Sequence, residues 1–428
     1  LSFRATYSYK DTYLVEGNLG YTGSENFNKE RRYGWFPSIS GGWVPTQYDW
    51  YRNLLPFNNF LKFRASWGRV GNDRLKDENG NDIRFPYLTT LGNVSSTWGT
   101  GLAENRTGSM NLKWEVSTKT NFGIDARFFD DKVDMTVDFF HTKTTDIFQR
   151  RANIPDEGGL SNVLPYANIG SMKSWGMDGT LAYTHTFNKD MALTVRGNFT
   201  HAENEVIYWE QSGVNYPYQS NSGVPYKVQR GLIALGLFKD EDDIKSSPKQ
   251  TFMDNYRPGD IKYKDVNGDG KIDKDDVVPL NYSAVPFIQY GFALDWNYKA
   301  FRVSILFEGV SKVQYFQGGR GFYPFLNESR GNLLEMVADP RNRWIPREYA
   351  EVNGIDPALA ENPNAKFPRL TYGENKNNNQ ESTFWLADGK YLRLKNVDIS
   401  YRFTNNWLKS RVGVESATLS LIGENLHV

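Results

Sequence analysis

Val133-Asp134-Met135-Thr136-Val137-Asp138-Phe139 alternates without a break, with every odd position apolar and every even one polar. A period of two belongs to a β-strand, which turns successive side chains to opposite faces. The polar face carries full charges at Asp134 and Asp138, so that face must meet water. The pattern recurs outward from this stretch. Met191, Leu193, Val195 and Phe199 alternate with Thr194, Arg196 and Asn198, and Phe301, Val303, Ile305 and Phe307 alternate with Arg302, Ser304 and Glu308. Phe292, Leu294, Trp296 and Tyr298 flank Asp295 and Asn297, while Leu61, Phe63, Ala65 and Trp67 flank Lys62, Arg64 and Ser66. Twelve strands are expected, near 1–9, 12–21, 34–43, 59–71, 113–129, 132–146, 170–185, 191–204, 287–298, 301–313, 388–403 and 417–428. Many approach or exceed about 10 residues, where ordinary strands have about 5–6 and tilted membrane-crossing strands about 9–11.

Short and long connections alternate. Short turns fall near Tyr9–Thr12, Phe129–Lys132, Thr186–Asp190 and Tyr298–Phe301, with medium links Val44–Asn58 and Thr404–Ser416 in the same phase. The opposite phase holds 22–33, 72–112, 147–169, 205–286 and 314–387. Outer-membrane barrels have this asymmetry, with short periplasmic turns and long extracellular loops. Aromatics near both strand ends (Tyr7, Tyr9, Tyr13, Tyr21, Trp67, Trp296, Tyr298) suit girdles at two membrane interfaces. A helical turn is expected within Asp49–Leu61 and a short loop helix in 331–350, beginning near Gly331.

Composition narrows the function. The chain has 428 residues with 50 basic and 50 acidic side chains, so no cationic excess drives nucleic-acid binding. It has no cysteine, which removes disulfides, thiolate catalysis and Cys-ligated metal centres. Mean hydropathy is −0.61, and no apolar run nears the roughly 20 residues of a membrane helix. A barrel hides its lipid face in alternation, so a membrane barrel and a soluble β protein both stand at this point. The chain starts at Leu1 without Met and stops inside an apparent strand at His427-Val428, so a fragment of a larger protein is expected.

Six strings, in order, carry a family likeness: Arg32-Tyr33-Gly34-Trp35-Phe36-Pro37-Ser38 with Gly42-Trp43; Leu61-Lys62-Phe63-Arg64-Ala65-Ser66-Trp67-Gly68-Arg69-Val70-Gly71-Asn72; Leu112-Lys113-Trp114-Glu115 through Asn121-Phe122-Gly123-Ile124-Asp125; Asn168-Ile169-Gly170 with Trp175-Gly176-Met177; Pro258-Gly259-Asp260-Ile261; and Tyr391-Leu392-Arg393-Leu394-Lys395-Asn396 with Ser400-Tyr401. With them the chain resembles the SusC/RagA-type TonB-dependent outer-membrane transporters of Bacteroidetes. The resemblance implies an all-β fold, a large antiparallel transmembrane β-barrel of about 22 strands with a plugged lumen. About 12 of those strands would lie in this chain, with the plug outside it. Residues 1–428 would then be a partial barrel with extracellular loops 72–112, 147–169, 205–286 and 314–387. The resemblance also implies TonB-dependent import of glycan or peptide oligomers at the bacterial outer membrane, with no enzymatic step. Its implied partners are a SusD-like surface lipoprotein lid, TonB through a segment outside this chain, oligosaccharide or oligopeptide cargo, outer-membrane lipid, and a dimer of transporter–lid pairs. Alternatives are a passive porin-like channel and a soluble calcium-containing glycan-binding β protein. On the importer reading, Arg64, Asp125, Arg127, Asp134, Asp138, Arg196, Asp295, Arg302 and Glu308 line the lumen and meet the plug.

One local motif points to a metal. Asp265-Val266-Asn267-Gly268-Asp269-Gly270-Lys271-Ile272-Asp273-Lys274-Asp275-Asp276 fits a calcium loop, with Asp265, Asn267, Asp269, Asp273 and Asp276 at positions 1, 3, 5, 9 and 12. Gly270 supplies the sharp turn at position 6, Lys271 would offer its backbone carbonyl, and Ile272 would anchor the loop in apolar packing. Position 12 is Asp rather than Glu, and no helices flank the loop, so a structural Ca²⁺ is expected rather than a switch.

Other clusters have plain readings. His141, His185 and His201 read as interfacial side chains, Asp240-Glu241-Asp242-Asp243 as a solvated loop, and Gly318-Gly319-Arg320-Gly321 as a flexible one. Trp209, Tyr216, Tyr218, Phe322, Tyr323 and Trp385 could stack on cargo or could form the loops' own cores.

Overall fold

The computed structural model describes the chain except for residues 78–79, 98, 156–162, 327–332, 405–407 and 428. Twelve strands form one antiparallel sheet whose neighbours follow chain order throughout. They are β1 (Ser2–Tyr9), β2 (Tyr13–Gly23), β3 (Tyr33–Trp43), β4 (Asn58–Asn72), β5 (Glu115–Phe128), β6 (Val133–Arg150), β7 (Tyr166–Asn188), β8 (Met191–Tyr208), β9 (Ile288–Tyr298), β10 (Phe301–Ser311), β11 (Tyr391–Phe403) and β12 (Ala417–His427). No helix among the described residues is long and apolar enough to cross a membrane.

Register carries the alternation across the sheet. The row Phe63, Ile124, Val137, Gly179, Phe199 and Tyr290 is matched residue to residue from β4 to β9. On the opposite face Asp125 lies beside Thr136 on β6, and Arg196 beside Ala293 on β9. A slip of one residue anywhere would turn a strand's charges into the apolar face, so the pattern itself fixes the pairing. All nine predicted lumen residues share the ionic face. The girdle aromatics share the apolar one: Tyr21 stacks on Tyr33 at 5.1 Å near one end, and Trp296 stacks on Tyr298 at 6.1 Å near the other.

At the turn end the links are tight. Lys299-Ala300 joins β9 to β10 with Lys299 at φ 51°, and Lys10 and Asp11 take φ 51° and 50° between β1 and β2. Left-handed residues suit such hairpins because their twist matches that of the strands. The helical turn expected after β3 is present as Asp49–Leu54.

At the loop end the strands run past what a membrane requires, 18, 23 and 18 residues in β6, β7 and β8. β6 reaches Arg150 and β7 begins at Tyr166, beyond the expected limits of 146 and 170. The register shifts between Thr144 and Ile147, and Asp146 sits at φ 59°. This bulge breaks the period of two that marks a strand in sequence.

Two cores close the loop end. Phe27, Leu112 and Trp114 pack with Phe36, Phe148 and Tyr166 over β3–β7. A cap built from the segments flanking β9 and β10 buries Leu232, Leu237, Ile261, Tyr263, Ile272, Val337, Trp344, Phe367 and Trp385. Short loop helices lie at Glu335–Ala338 and Arg347–Val352, in the region where one was expected; Gly331 and Asn332 lie outside the described residues. Asp240-Glu241-Asp242-Asp243, expected as a solvated loop, is largely exposed but helical rather than loop. It starts helix Glu241–Lys245, with Asp240 as N-cap accepting from the Asp243 N–H at 2.7 Å. Acids concentrated at a helix start complement its dipole.

Candidate functional site

The ionic face is a wall of paired charges. Arg64 reaches Asp125 at 2.7 Å and Asp138 at 2.9 Å, joining three strands, and Thr136 adds a hydroxyl to Asp125 at 3.3 Å. Gly123 leaves the room: a Cβ there would stand 2.6 Å from both the guanidinium carbon and the Asp138 carboxylate. Arg302 meets Asp295 at 3.2 Å, while Glu308 receives Arg393 at 3.3 Å and Lys395 at 3.2 Å. Arg127 lies 3.9 Å from Asp134. A groove of about 400 Å³ opens on the β1–β5 side, lined by Glu16, Lys62, Arg64 and Asn121 among others. Such a wall is wettable, and most of the charges just named answer one another.

Above it the cap is tied by one buried carboxylate. Asp260 is fully buried and accepts from the Arg257 N–H (2.7 Å), Arg369 (2.9 Å), Asn375 (2.9 Å) and Asn378 (2.8 Å). Buried Asn377 links Gln250 (2.7 Å) to the Ile261 carbonyl (2.9 Å), and Tyr263 donates to the Asn377 carbonyl at 2.7 Å. Burial pushes the Tyr263 hydroxyl far above its ordinary range, so it remains a donor. Through Asp260, the Pro258-Gly259-Asp260-Ile261 string thus ties residues 257, 369, 375 and 378 together. Gly259 has φ 87°, and a Cβ there would fall 2.3 Å from Trp344. The asparagines of 375–378 were missed from sequence; only their density in an otherwise featureless loop marked them.

The acidic loop hangs from this cap. Ile272 is fully buried in the cap core, as position 8 requires. Gly268 and Gly270 both take positive φ, 78° and 84°. Asp265 accepts from Gly268 (2.6 Å) and Gly270 (2.9 Å), Asn267 from Asp269 (3.0 Å), and Asp269 from Lys271 (3.0 Å). Asp273 accepts from Asp275 (2.8 Å), and fully buried Asp276 from Val266 (2.7 Å) and Asp273 (2.9 Å). The Lys271 ammonium stands 3.6 Å from Asp269 and 3.5 Å from Asp273, which hold its pKa above the usual lysine value. Among the described residues no three His, Cys, Asp or Glu side chains gather as a metal-holding group. The donor set is nonetheless all oxygen, in ligand order, and the buried Asp276 carboxylate meets only neutral N–H groups. That chemistry fits a hard divalent cation.

Sequence reasoning also missed the brace on this loop. Tyr216 and Tyr218 stack at 5.4 Å, nearly parallel; Tyr218 donates to the Asp275 carbonyl at 2.6 Å and Gln219 to its carboxylate at 3.0 Å. Burial, then the nearby carboxylates, raise the Tyr218 pKa. Of the other aromatics, Trp385 and Tyr323 are buried and Phe322 packs on them, so these three form the cap's core. Trp209 stands against Tyr226 at 6.2 Å. The histidines do not gather: His185 packs on Phe187 at 4.4 Å, while His201 meets Glu203 at 2.8 Å.

The β-barrel family described as TonB dependent receptor-like matches residues 1–426, with the strand order and two-faced wall just described. The chain belongs to this family. Its members are outer-membrane receptors and transporters, not enzymes, which places this barrel in the bacterial outer membrane. TonB-dependent receptor P26 of Formosa agariphila is 27% identical over 99% of this chain and 41% of its own length. TonB-dependent receptor SusC of Bacteroides thetaiotaomicron is 23% identical over 94% of this chain and 38% of its own. The structure of a RagAB peptide importer in a 'closed-closed' state superposes with TM-score 0.74 at 20% identity, covering 100% of this chain and 43% of that one. The chain therefore spans about two-fifths of the length of the curated relatives it matches. The expected large barrel of the SusC/RagA kind stands, and a soluble β protein is ruled out.

Proposed function

We propose that this receptor barrel forms part of an importer that takes oligomeric nutrients, glycan or peptide, across the outer membrane by a TonB-dependent route. A SusD-like lipoprotein would close over the loop cap from outside, and a dimer of transporter–lid pairs would be the working unit. The observation that carries this reading is the wall: one continuous apolar face, one continuous ionic face, and every long loop at one end. A cargo chain moving past Arg64, Glu308 and Asp295 would meet paired charges in water, which bind oligomers weakly and let them pass. The likeness to SusC and RagAB supports the lid, and RagAB, a peptide importer, supports peptide as one cargo class.

Within the cap, Asp265, Asn267, Asp269, Asp273 and Asp276, with the Lys271 carbonyl, would hold a structural Ca²⁺. The ion would supply charge to a loop of converging carboxylates. The chain's own part is to hold those oxygens in order through Gly270, Ile272 and the Tyr216–Tyr218 brace.

Uptake of labelled oligosaccharides and oligopeptides by cells expressing the receptor, with and without functional TonB, tests the main reading. Saturable uptake of one class that disappears without TonB is expected. Uptake persisting without TonB would make it a passive channel.

A further inference from the structure

The cap holds a cavity of about 670 Å³ whose walls come from three separate stretches, 239–241, 257–258 and 343–370. That size is ordinary for a site that takes an organic ligand. Backbone hydrogen bonds stitch the stretches together. The Gly259 N–H donates to the Phe238 carbonyl at 2.8 Å, the Arg369 N–H to the Gly259 carbonyl at 2.9 Å, and the Trp344 N–H to the Phe367 carbonyl at 2.9 Å. The walls are fixed before anything binds, which spares a ligand the cost of ordering them.

Arg343 sets the chemistry. It is only 8% exposed, and it lines this cavity. Its Nε donates to the Ala338 carbonyl at 3.1 Å, and its guanidinium lies 5.1 Å from the centre of the Tyr349 ring, another wall residue. Its two terminal nitrogens have no hydrogen bond or ion pair among the described residues. Asp339, close enough to feel that charge, is already taken by Arg341 at 2.7 Å. A guanidinium nine-tenths out of water with its fork unfilled is costly, and the fork matches a carboxylate in shape and charge. Lys239 and Arg257 line the cavity too, and neither side chain has an ion pair among the described residues. Of the lining acids, Glu361 is held by Arg347 at 3.2 Å and Asp240 caps its helix. Glu241 is left alone against three uncommitted cations. The rest of the lining is apolar: Pro258, Trp344, Pro346 and Leu370. A sugar acid would bring several hydroxyls to these walls, which have no Ser, Thr, Asn or Gln side chain to receive them.

We propose that the cavity holds the C-terminal residue of a peptide, with its free carboxylate on the Arg343 fork, in the field of Lys239 and Arg257, and its apolar side chain against Pro258, Pro346 and Leu370. A peptide gripped by its end rather than along its length is accepted whatever its interior sequence, and it arrives with one polarity. The site's place on an import route rests on the import reading above; its occupancy does not.

The test is fluorescence anisotropy on the full-length receptor in mild detergent. The probes are a pentapeptide labelled at its N-terminus and ending in a free leucine, the same peptide amidated, and a uronic-acid disaccharide as competitor. The free acid should bind, and amidation should weaken binding by about tenfold or more, the loss of one or two charged hydrogen bonds. Arg343→Gln should bind the free acid as weakly as wild type binds the amide and should no longer tell the two apart. Arg343→Lys, which keeps the charge without the fork, should recover only part of the difference. Arg257→Gln retains the backbone N–H that Asp260 accepts, so the hub stays whole. It should weaken the free acid a few-fold, and it carries the test if Arg343→Gln does not fold. No binding of the free acid, or equal binding of acid and amide by wild type, would overturn the proposal. So would full discrimination in both variants, or displacement by the disaccharide at lower concentration than by unlabelled peptide. Uptake by cells with and without TonB reports on import separately. Pocket binding with no TonB-dependent uptake would sink import alone; TonB-dependent uptake with no carboxylate discrimination would sink the pocket alone.

Discussion

Arg64 on β4 reaches across the whole width of β5 to Asp138 on β6, at 2.9 Å, passing over Gly123 on the way. Asp125 on the intervening strand takes the other edge of the same guanidinium. One side chain thereby locks the register of three strands that each tolerate only one register on polarity grounds. The three side chains remain 15–32% exposed, so water screens the pairs. Arg64→Ala should cost about 1–2 kcal/mol in urea unfolding, the scale for a partly exposed network rather than a buried one. Gly123→Val should cost more than Arg64→Ala, because it displaces the guanidinium and leaves it present without partners.

Trp385 is the keystone of the cap, 2% exposed, its indole N–H donating to the Asn378 carbonyl at 2.7 Å. Trp385→Ala should destabilise the cap by about 3–5 kcal/mol. Limited proteolysis should then cut within 209–287 and 312–390 while the barrel stays protected. Equal protection of cap and barrel would show that the two do not fold as separable units.

Glu210, just past β8, clamps the loop after β6 by accepting from the Ala152 N–H at 2.8 Å and from Arg151 at 2.9 Å. Burial pushes its carboxyl upward, but those donors outweigh it and hold the pKa below the ordinary carboxylate value. A depressed folded pKa means stabilisation present above the unfolded value and lost as pH falls through the folded one. Protease access at Arg151 should therefore rise on acidification below about pH 4. Glu210→Gln should be more accessible at neutral pH and should lose that pH dependence.

The proposed metal site in the acidic loop is tested through Lys271. Its ammonium occupies the space between Asp269 and Asp273 and competes with a metal for their charge. Metal analysis after dialysis should find one Ca²⁺ per chain, lost on chelation and absent in Asp265→Ala. Lys271→Met should tighten Ca²⁺ binding a few-fold in titration calorimetry. Weaker binding in Lys271→Met would place the lysine among the groups that hold the loop together.

The barrel was legible in the sequence because a membrane imposes the same rule on every strand. Val133–Phe139 and Phe301–Phe307 each state it in full, and the register only had to repeat it. The rule fades at the loop end, where β6 and β7 leave the bilayer and a bulge at Asp146 interrupts the period. The cap was not legible. Its strands are two to six residues long, as in Ile261–Tyr263 and Lys271–Ile272, and its core draws single residues from distant places, Leu232 beside Phe367 and Trp385. Ile272 was readable because the metal-loop spacing gives it a place. Asp260 was quoted in a recurring string, yet its four donors lie at 257, 369, 375 and 378, which no local pattern joins.

The cap's two halves are separated in the chain by the β9–β10 hairpin. The Asp260 hub joins them, since Arg257 precedes that hairpin and Arg369, Asn375 and Asn378 follow it. A finished hub is therefore a certificate of assembly: protection at Tyr263 and Trp385 should appear last in a refolding time course, after the strands beneath are in place.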